Sequence, residues 1–177
     1  MAAGRFLNTL RVVATPGNRQ RGLILAGTTT IPCALGRAGI TRTKREGDGA
    51  APAGTFGLTA VLYRTDRGPR PATGLPVTAI ARNSGWCDDP GARAYNRPVE
   101  LPYPASAENM WRDDRLYDVV VVIDFNLDHP HSGAGSAIFL HIATPDFSPT
   151  AGCVAVSPGA MRRLLPRLGP STVIDIR

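Results

Sequence analysis

Apolar positions in this chain cluster in short, β-branched runs separated by turn-forming residues. Such runs span Thr9 to Ala14, Gly22 to Ala26, Phe56 to Tyr63, Val77 to Ala81, Leu116 to Phe125, Ser136 to Ile142, Cys153 to Val156 and Ser171 to Ile176. Short strands at this spacing predict a mostly β sandwich or barrel. One helix is predicted late in the chain: Ser157 can cap it, Pro158 suits its first turn, and Met161, Leu164, Leu165 and Leu168 give it an apolar side before Gly169-Pro170 stops it. Two long turn-rich stretches, Gly36 to Gly54 and Arg82 to Pro104, are expected to be functional loops decorating the sheet. No internal repeat interrupts the pattern, which predicts one domain over residues 1–177.

Composition narrows the class further. A chain of 177 residues with 43% hydrophobic and 19% charged positions can bury a real core and is not disordered. With 19 glycines and 16 prolines, long helices cannot dominate, which excludes coiled coils and helical repeats. The net charge is +6, and Lys44 is the only lysine among 20 basic residues. The arginines are scattered from Arg5 to Arg177 rather than gathered in a tail, so carboxylate-bearing ligands fit better than nucleic acid. The densest apolar run, Val119 to Ile123, is far too short for a membrane span, which needs about 20 residues. Arg5 and Arg11 interrupt the first apolar positions, so the N-terminus does not read as a signal peptide; the expected home is either the cytoplasm or, for a processed form, the cell envelope. Three cysteines, Cys33, Cys87 and Cys153, are compatible with three thiols or with one bridge, Cys33 to Cys87, plus a free Cys153.

The stretch from Gly135 to Leu165 carries the candidate chemistry. Alternation puts Ile138, Leu140 and Ile142 on one face of a strand and Ala137, Phe139 and His141 on the other. In the next strand Val154 and Val156 belong with the core, so Cys153 and Ala155 point the opposite way. If the two strands are neighbours, His141 and Cys153 share the non-core face. An imidazole beside a thiol can generate a nucleophilic sulfur near neutral pH. Gly152 before the cysteine would let backbone N–H groups approach a developing oxyanion. On their own, one cysteine and one histidine could equally be structural, or could join His129 and His131 in a metal site, although that spacing matches no compact zinc signature.

The Thr-Ala-Gly-Cys run at 150–153 after His141 resembles the L,D-transpeptidase catalytic domain, the YkuD-like cysteine enzymes of bacterial peptidoglycan. KREGDGAAPAGTF from Lys44, GWCDDPGARAYNRPVELP from Gly85, WRDDRLYDVVVVIDFN from Trp111 and GSAIFLH from Gly135 are similar to one bacterial branch of that family. These blocks cover roughly Leu10 to Ile176. The resemblance implies an L,D-transpeptidase-like β-sandwich or barrel with one or two short helices. It implies Cys153 as nucleophile, His141 as its base, Gly152 beside the oxyanion site, and Thr150 as a residue shaping the loop. It also implies a histidine oriented by a backbone carbonyl, so that no acidic third member is needed, and diaminopimelate-containing stem peptides as the partner. No cofactor and no metal are expected. Ala151 stands where the family usually has histidine, and Val154-Ala155 replace a common arginine, so the substrate carboxylate is expected to be bound differently. Arg42, Arg82 and Arg115 are the candidates, and Trp86 could line the groove. The implied activity is acyl transfer through a thioacyl-enzyme, with hydrolysis of peptidoglycan fragments, or silent binding of them, as the rivals.

Overall fold

A computed structural model describes residues 6–177; the start of the N-terminal segment, including Arg5, lies outside the described residues. In chain order the elements are β1 (Thr9–Thr15), β2 (Asn18–Ala26), β3 (Thr29–Ala34), β4 (Ile40–Thr41), β5 (Ala51–Pro52), β6 (Gly54–Tyr63), β7 (Val77–Ala79), β8 (Ser84–Cys87), β9 (Pro98–Glu100), β10 (Ala107–Asn109), β11 (Val119–Ile123), β12 (Phe139–Ile142), β13 (Val154–Val156), α1 (Pro158–Leu164) and β14 (Val173–Ile176). The protein is mostly β, as its sequence pattern predicts.

The main sheet runs β11-β12-β13-β3-β2-β1-β14-β6-β7, and β11 also pairs with β6. That extra pairing closes eight strands into a barrel and leaves β7 as an addition on β6. Closure is made possible by the ten-residue length of β6, whose first half pairs with β14 and whose second half pairs with β11 and β7. Closing the ring removes the exposed edges that an open sheet would have to protect. Inside lie Leu10, Val12, Ile24, Val61, Val121, Leu140, Val154, Ile174 and their neighbours, with Ala160, Met161 and Leu164 of α1 packed against them. Each such side chain contributes about 1.5–3 kcal/mol of burial.

A second, smaller core covers the opposite face of β11 and β12. The three-stranded sheet β10-β8-β9 lies there, and Trp86 and Met110 meet Tyr117, Val120, Val122, Phe139 and Cys153. The outward face of β12 and β13 is therefore not a solvent face, as simple alternation suggests; it is the floor of a second layer. All residues of β12 and β13 are buried.

Several boundaries differ from the sequence pattern for identifiable reasons. The strand expected from Ser136 begins only at Phe139, because Gly135 (φ 109°) and Ala137 (φ 52°) turn the backbone just before it. β3 carries Pro32 and has no alternation to announce it; the proline is accommodated because β13 pairs only with Cys33 and Ala34, leaving the first half of β3 at the sheet rim. The Arg82 to Pro104 loop contains β8 and β9. The α-helix stops at Leu164 and continues as one 3-10 turn, Leu165–Arg167, since Pro166 has no N–H to extend the ladder. All three cysteines are free thiols: Cys33 sits in the barrel core beside Gly22, and Cys87 lies in the small sheet, so the conditional Cys33–Cys87 bridge is not formed.

The predicted N-cap is present: Ser157 Oγ accepts from the Ala160 N–H at 3.3 Å. Ser157→Ala is expected to lower unfolding free energy by about 1 kcal/mol. Urea titration checks this; an unchanged midpoint would mean that packing alone holds the helix start.

Candidate active site

The site is built by the pairing of β12 with β13. The two strands run parallel with Leu140 opposite Val154 and His141 opposite Ala155. That register puts Phe139, His141, Cys153 and Ala155 on one face, while Leu140, Ile142, Val154 and Val156 enter the barrel core. Cys153 and His141 are buried, 7% and 5% exposed, and both line a cavity of about 440 Å³.

His141 is held by backbone carbonyls, those of Ile142 and Leu116. Its Nδ1 lies 2.8 Å from the Ile142 carbonyl oxygen. A carbonyl can only accept, so Nδ1 carries the hydrogen and Nε2 is left with its lone pair. The Tyr117 ring packs edge-on against the imidazole at 5.4 Å between centroids. Burial pushes the imidazole pKa down to about 4, with the Ile142 carbonyl opposing that shift and the Arg112 charge reinforcing it. The ring is therefore neutral at pH 7.

Cys153 is neutral for the same reason. Burial pushes its thiol up to about 12, the Glu108 carboxylate adds to this, and the Phe139 N–H and the Lys44 charge oppose it. The sulfur accepts from the Phe139 N–H at 3.4 Å and donates to the Ala137 carbonyl at 3.2 Å. The resting thiol thus faces Ala137, not the imidazole, and no hydrogen bond joins Cys153 to His141 in this state.

The Ala137 carbonyl is aimed by a residue that the sequence reading missed. Asn96 is 1% exposed and has φ 55°, and its Oδ1 accepts from the Ala137 N–H at 3.0 Å and from Trp86 Nε1 at 2.9 Å. Its Nδ2 donates to the Phe125 and Asn126 carbonyls. An amide with both ends committed fixes the turn that presents Ala137 to the thiol. The signals in the sequence are its place in the GWCDDPGARAYNRPVELP block of the long loop and a residue type that tolerates positive φ.

The loop from Thr150 to Cys153 is tied internally. Thr150 Oγ1 donates to the Cys153 carbonyl at 2.7 Å and accepts from the Gly152 N–H at 3.2 Å. Gly152 has φ 137°, and a Cβ there would sit 2.9 Å from the Ala50 carbonyl oxygen, so only glycine fits. Charged groups ring the cavity: Lys44, Glu46, Asp88, Glu108 and Arg112 all line it. Tyr117 Oη donates to Glu108 at 2.6 Å, and Ser136 Oγ donates to Glu46 at 2.8 Å.

Of the residues expected to bind substrate, Thr150 is at the cavity and four are elsewhere. Arg42 lines a separate hollow with Arg19 and Asp175. Arg82 stacks over Trp111 at 5.0 Å, and Arg115, 76% exposed, pairs with Asp118 at 3.0 Å. Trp86 is buried beneath Phe139, edge-on at 5.1 Å. Of the charges that do line the cavity, Lys44, Glu46 and Asp88 come from the two predicted loops, and Glu108 and Arg112 from the segment between them and β11. His129 is 92% exposed, far from the burial of His141, and among the described residues no group of three metal-binding side chains is arranged to hold an ion. No helix among the described residues is long and apolar enough to cross a membrane.

Residues 12–176 match the model of the YkuD family, the L,D-transpeptidase catalytic domain. With nearly the whole chain covered, this protein belongs to that family. No curated protein and no solved structure matches it.

Burial of a neutral imidazole has a measurable consequence. His141 binds its proton at about 4 in the folded state against an ordinary value of 6.5, so the unfolded chain protonates first as pH falls. Stability is therefore lost as pH drops through that window, by up to about 3 kcal/mol from this group. Urea unfolding of wild type and His141→Gln at pH 7 and pH 4.5 checks it: the wild type should lose clearly more stability than the variant. Parallel losses would mean that His141 is not desolvated.

Proposed function

We propose that the protein is a cysteine acyl-transfer enzyme acting on peptidoglycan stem peptides, an L,D-transpeptidase with Cys153 as nucleophile and His141 as general base. The observation that carries this reading is the shared cavity face of Cys153 and His141, with Nδ1–H held by the Ile142 carbonyl so that Nε2 carries the ring's lone pair. Family membership supports the class of reaction and of substrate.

In this reading a bound stem peptide presents the carbonyl of an L-configured centre, that of diaminopimelate, to the sulfur. The thiol turns from Ala137 to Nε2 and loses its proton there as the S–C bond forms. Collapse of the tetrahedral intermediate breaks the C–N bond, and the departing amine of D-alanine takes the proton from His141. The thioacyl-enzyme then passes its acyl group to an acceptor amine, forming a cross-link. Attack by water at that stage gives trimmed product instead. Because burial disfavours both charged forms, His141 acts as a general base during attack rather than as one half of a resting ion pair. A net charge of +6 favours approach of the acidic peptides. The cell envelope is the compartment in which such a substrate would be met.

Incubation with purified muropeptides followed by mass spectrometry is the test. Dimers are expected from wild type; trimmed monomers alone would assign hydrolysis, and unchanged substrate would leave only binding. Cys153→Ala should abolish conversion with the fold intact, and His141→Ala should lower it by at least about 100-fold. A carbapenem, whose strained lactam the sulfur can open, should add one covalent adduct to wild type and none to Cys153→Ala. An alanine variant that still converts muropeptides would overturn the assignment.

A further inference from the structure

Lys44 is the single lysine of a chain whose other 19 basic residues are arginine, and it lines the cavity together with Arg37 and Arg112. Its side chain is only 6% exposed although its residue sits in a surface loop. The ammonium donates to Asp48 Oδ1 at 2.5 Å and to the Arg45 carbonyl at 2.9 Å, which leaves its third N–H without a protein acceptor. Asp48 also accepts from the backbone N–H groups of Arg45 and Ala50, so the carboxylate that anchors the lysine is itself fixed.

Two glycines make the space. A Cβ on Gly135 would stand 3.0 Å from Lys44 Cγ, and a Cβ on Gly152 would stand 3.6 Å from Lys44 Nζ. Both glycines have positive φ, at 109° and 137°, and they flank β12 and β13 at the ends nearest Cys153. The ammonium thus sits against the residue that precedes the nucleophile. Meanwhile the Gly152 N–H, the group the family resemblance places nearest an oxyanion, is taken up by Thr150 Oγ1. A compact ammonium with one free donor suits a single oxygen atom, whereas the guanidinium fork used elsewhere in this chain suits a planar carboxylate.

We propose that Lys44 is a catalytic residue whose ammonium binds the acyl oxygen and stabilises its negative charge as Cys153 attacks; this rests on the acyl-transfer reading above. In that step the S–C bond forms, the carbonyl π pair moves onto the oxygen facing Lys44, and the thiol proton passes to His141 Nε2. Collapse restores the carbonyl, and the leaving group departs with that proton. Lys44 keeps its own proton throughout, held by Asp48.

The test compares two reactions of Cys153 in the full chain. Acylation by p-nitrophenyl acetate, which carries no carboxylate, develops an oxyanion; alkylation by iodoacetamide develops none at the sulfur's target. Lys44→Gln, whose amide can still donate to Asp48, should slow acylation by about 100-fold while changing alkylation by no more than about 5-fold. Lys44→Arg should recover part of the acylation rate, and with a converted muropeptide the loss should fall on kcat rather than KM. Unchanged acylation in Lys44→Gln overturns the proposal, as does an equal loss in both reactions, which would place Lys44 in thiol reactivity or folding. A loss confined to muropeptides, appearing in KM, would make Lys44 a carboxylate binder and also overturn it. Wild type that is acylated by the ester yet converts no muropeptide would instead sink the peptidoglycan reading, leaving the two-reaction comparison to judge Lys44 by itself.

Discussion

The parallel pairing of β12 with β13 is the constraint on which the rest of the molecule depends. With Leu140 opposite Val154, alternation sends Ile142 and Val156 into the barrel and leaves Cys153 and His141 on the other side. A slip of one residue would bury the thiol and imidazole in the barrel core and expel four apolar side chains. Both faces of these strands are covered, so the register is specified twice: by the barrel, and by the small sheet that brings Trp86 and Met110 over Phe139. Closure of the barrel through β6 and β11 fixes β11 as the neighbour of β12, and with it the position of Tyr117 beside the imidazole.

Covering that second face has an electrostatic cost which shapes the chemistry. A dry site favours neutral forms, so the thiol and the imidazole both rest uncharged. In the proposed reaction their charges would appear only while a bond is being made. Asn96 and the turn at Ala137 hold the thiol, the Ile142 carbonyl orients the His141 ring, and Lys44 and Glu108 place opposite charges along the cavity. Fixed dipoles and charges of this kind need little reorganisation when charge develops.

Much of this architecture is legible in the sequence because it is local. Eight β-branched runs, the Ser157 cap and the alternation through Ile138, Leu140 and Ile142 each depend on a few adjacent residues. What is not legible is set by contacts across the topology. The small sheet consists of strands of three or four residues within a Pro- and Gly-rich stretch, too short for alternation to register. Asn96 reaches Ala137 across 41 positions, and Ser136 reaches Glu46 across 90. Scattered arginines gave no means of telling Arg42, which faces another hollow, from Arg112, which lines the cavity. Lys44 did carry a signal: it stands alone among arginines and within the Lys-Arg-Glu-Gly-Asp block. Its place beside Gly152 is set by the Gly36 to Gly54 loop folding over the turn that carries Cys153.

The acyl-transfer proposal depends on His141 being neutral at pH 7 with its Nδ1–H spent on a backbone carbonyl. Nitrogen NMR of the imidazoles in the full chain reads this state, because there are only three histidines and the exposed ring of His129 serves as an internal reference. His141 is expected to be neutral at pH 7, protonated on Nδ1 and unprotonated on Nε2, and to stay so until the pH approaches about 4. An imidazolium at pH 7, or a neutral ring protonated on Nε2, would contradict it.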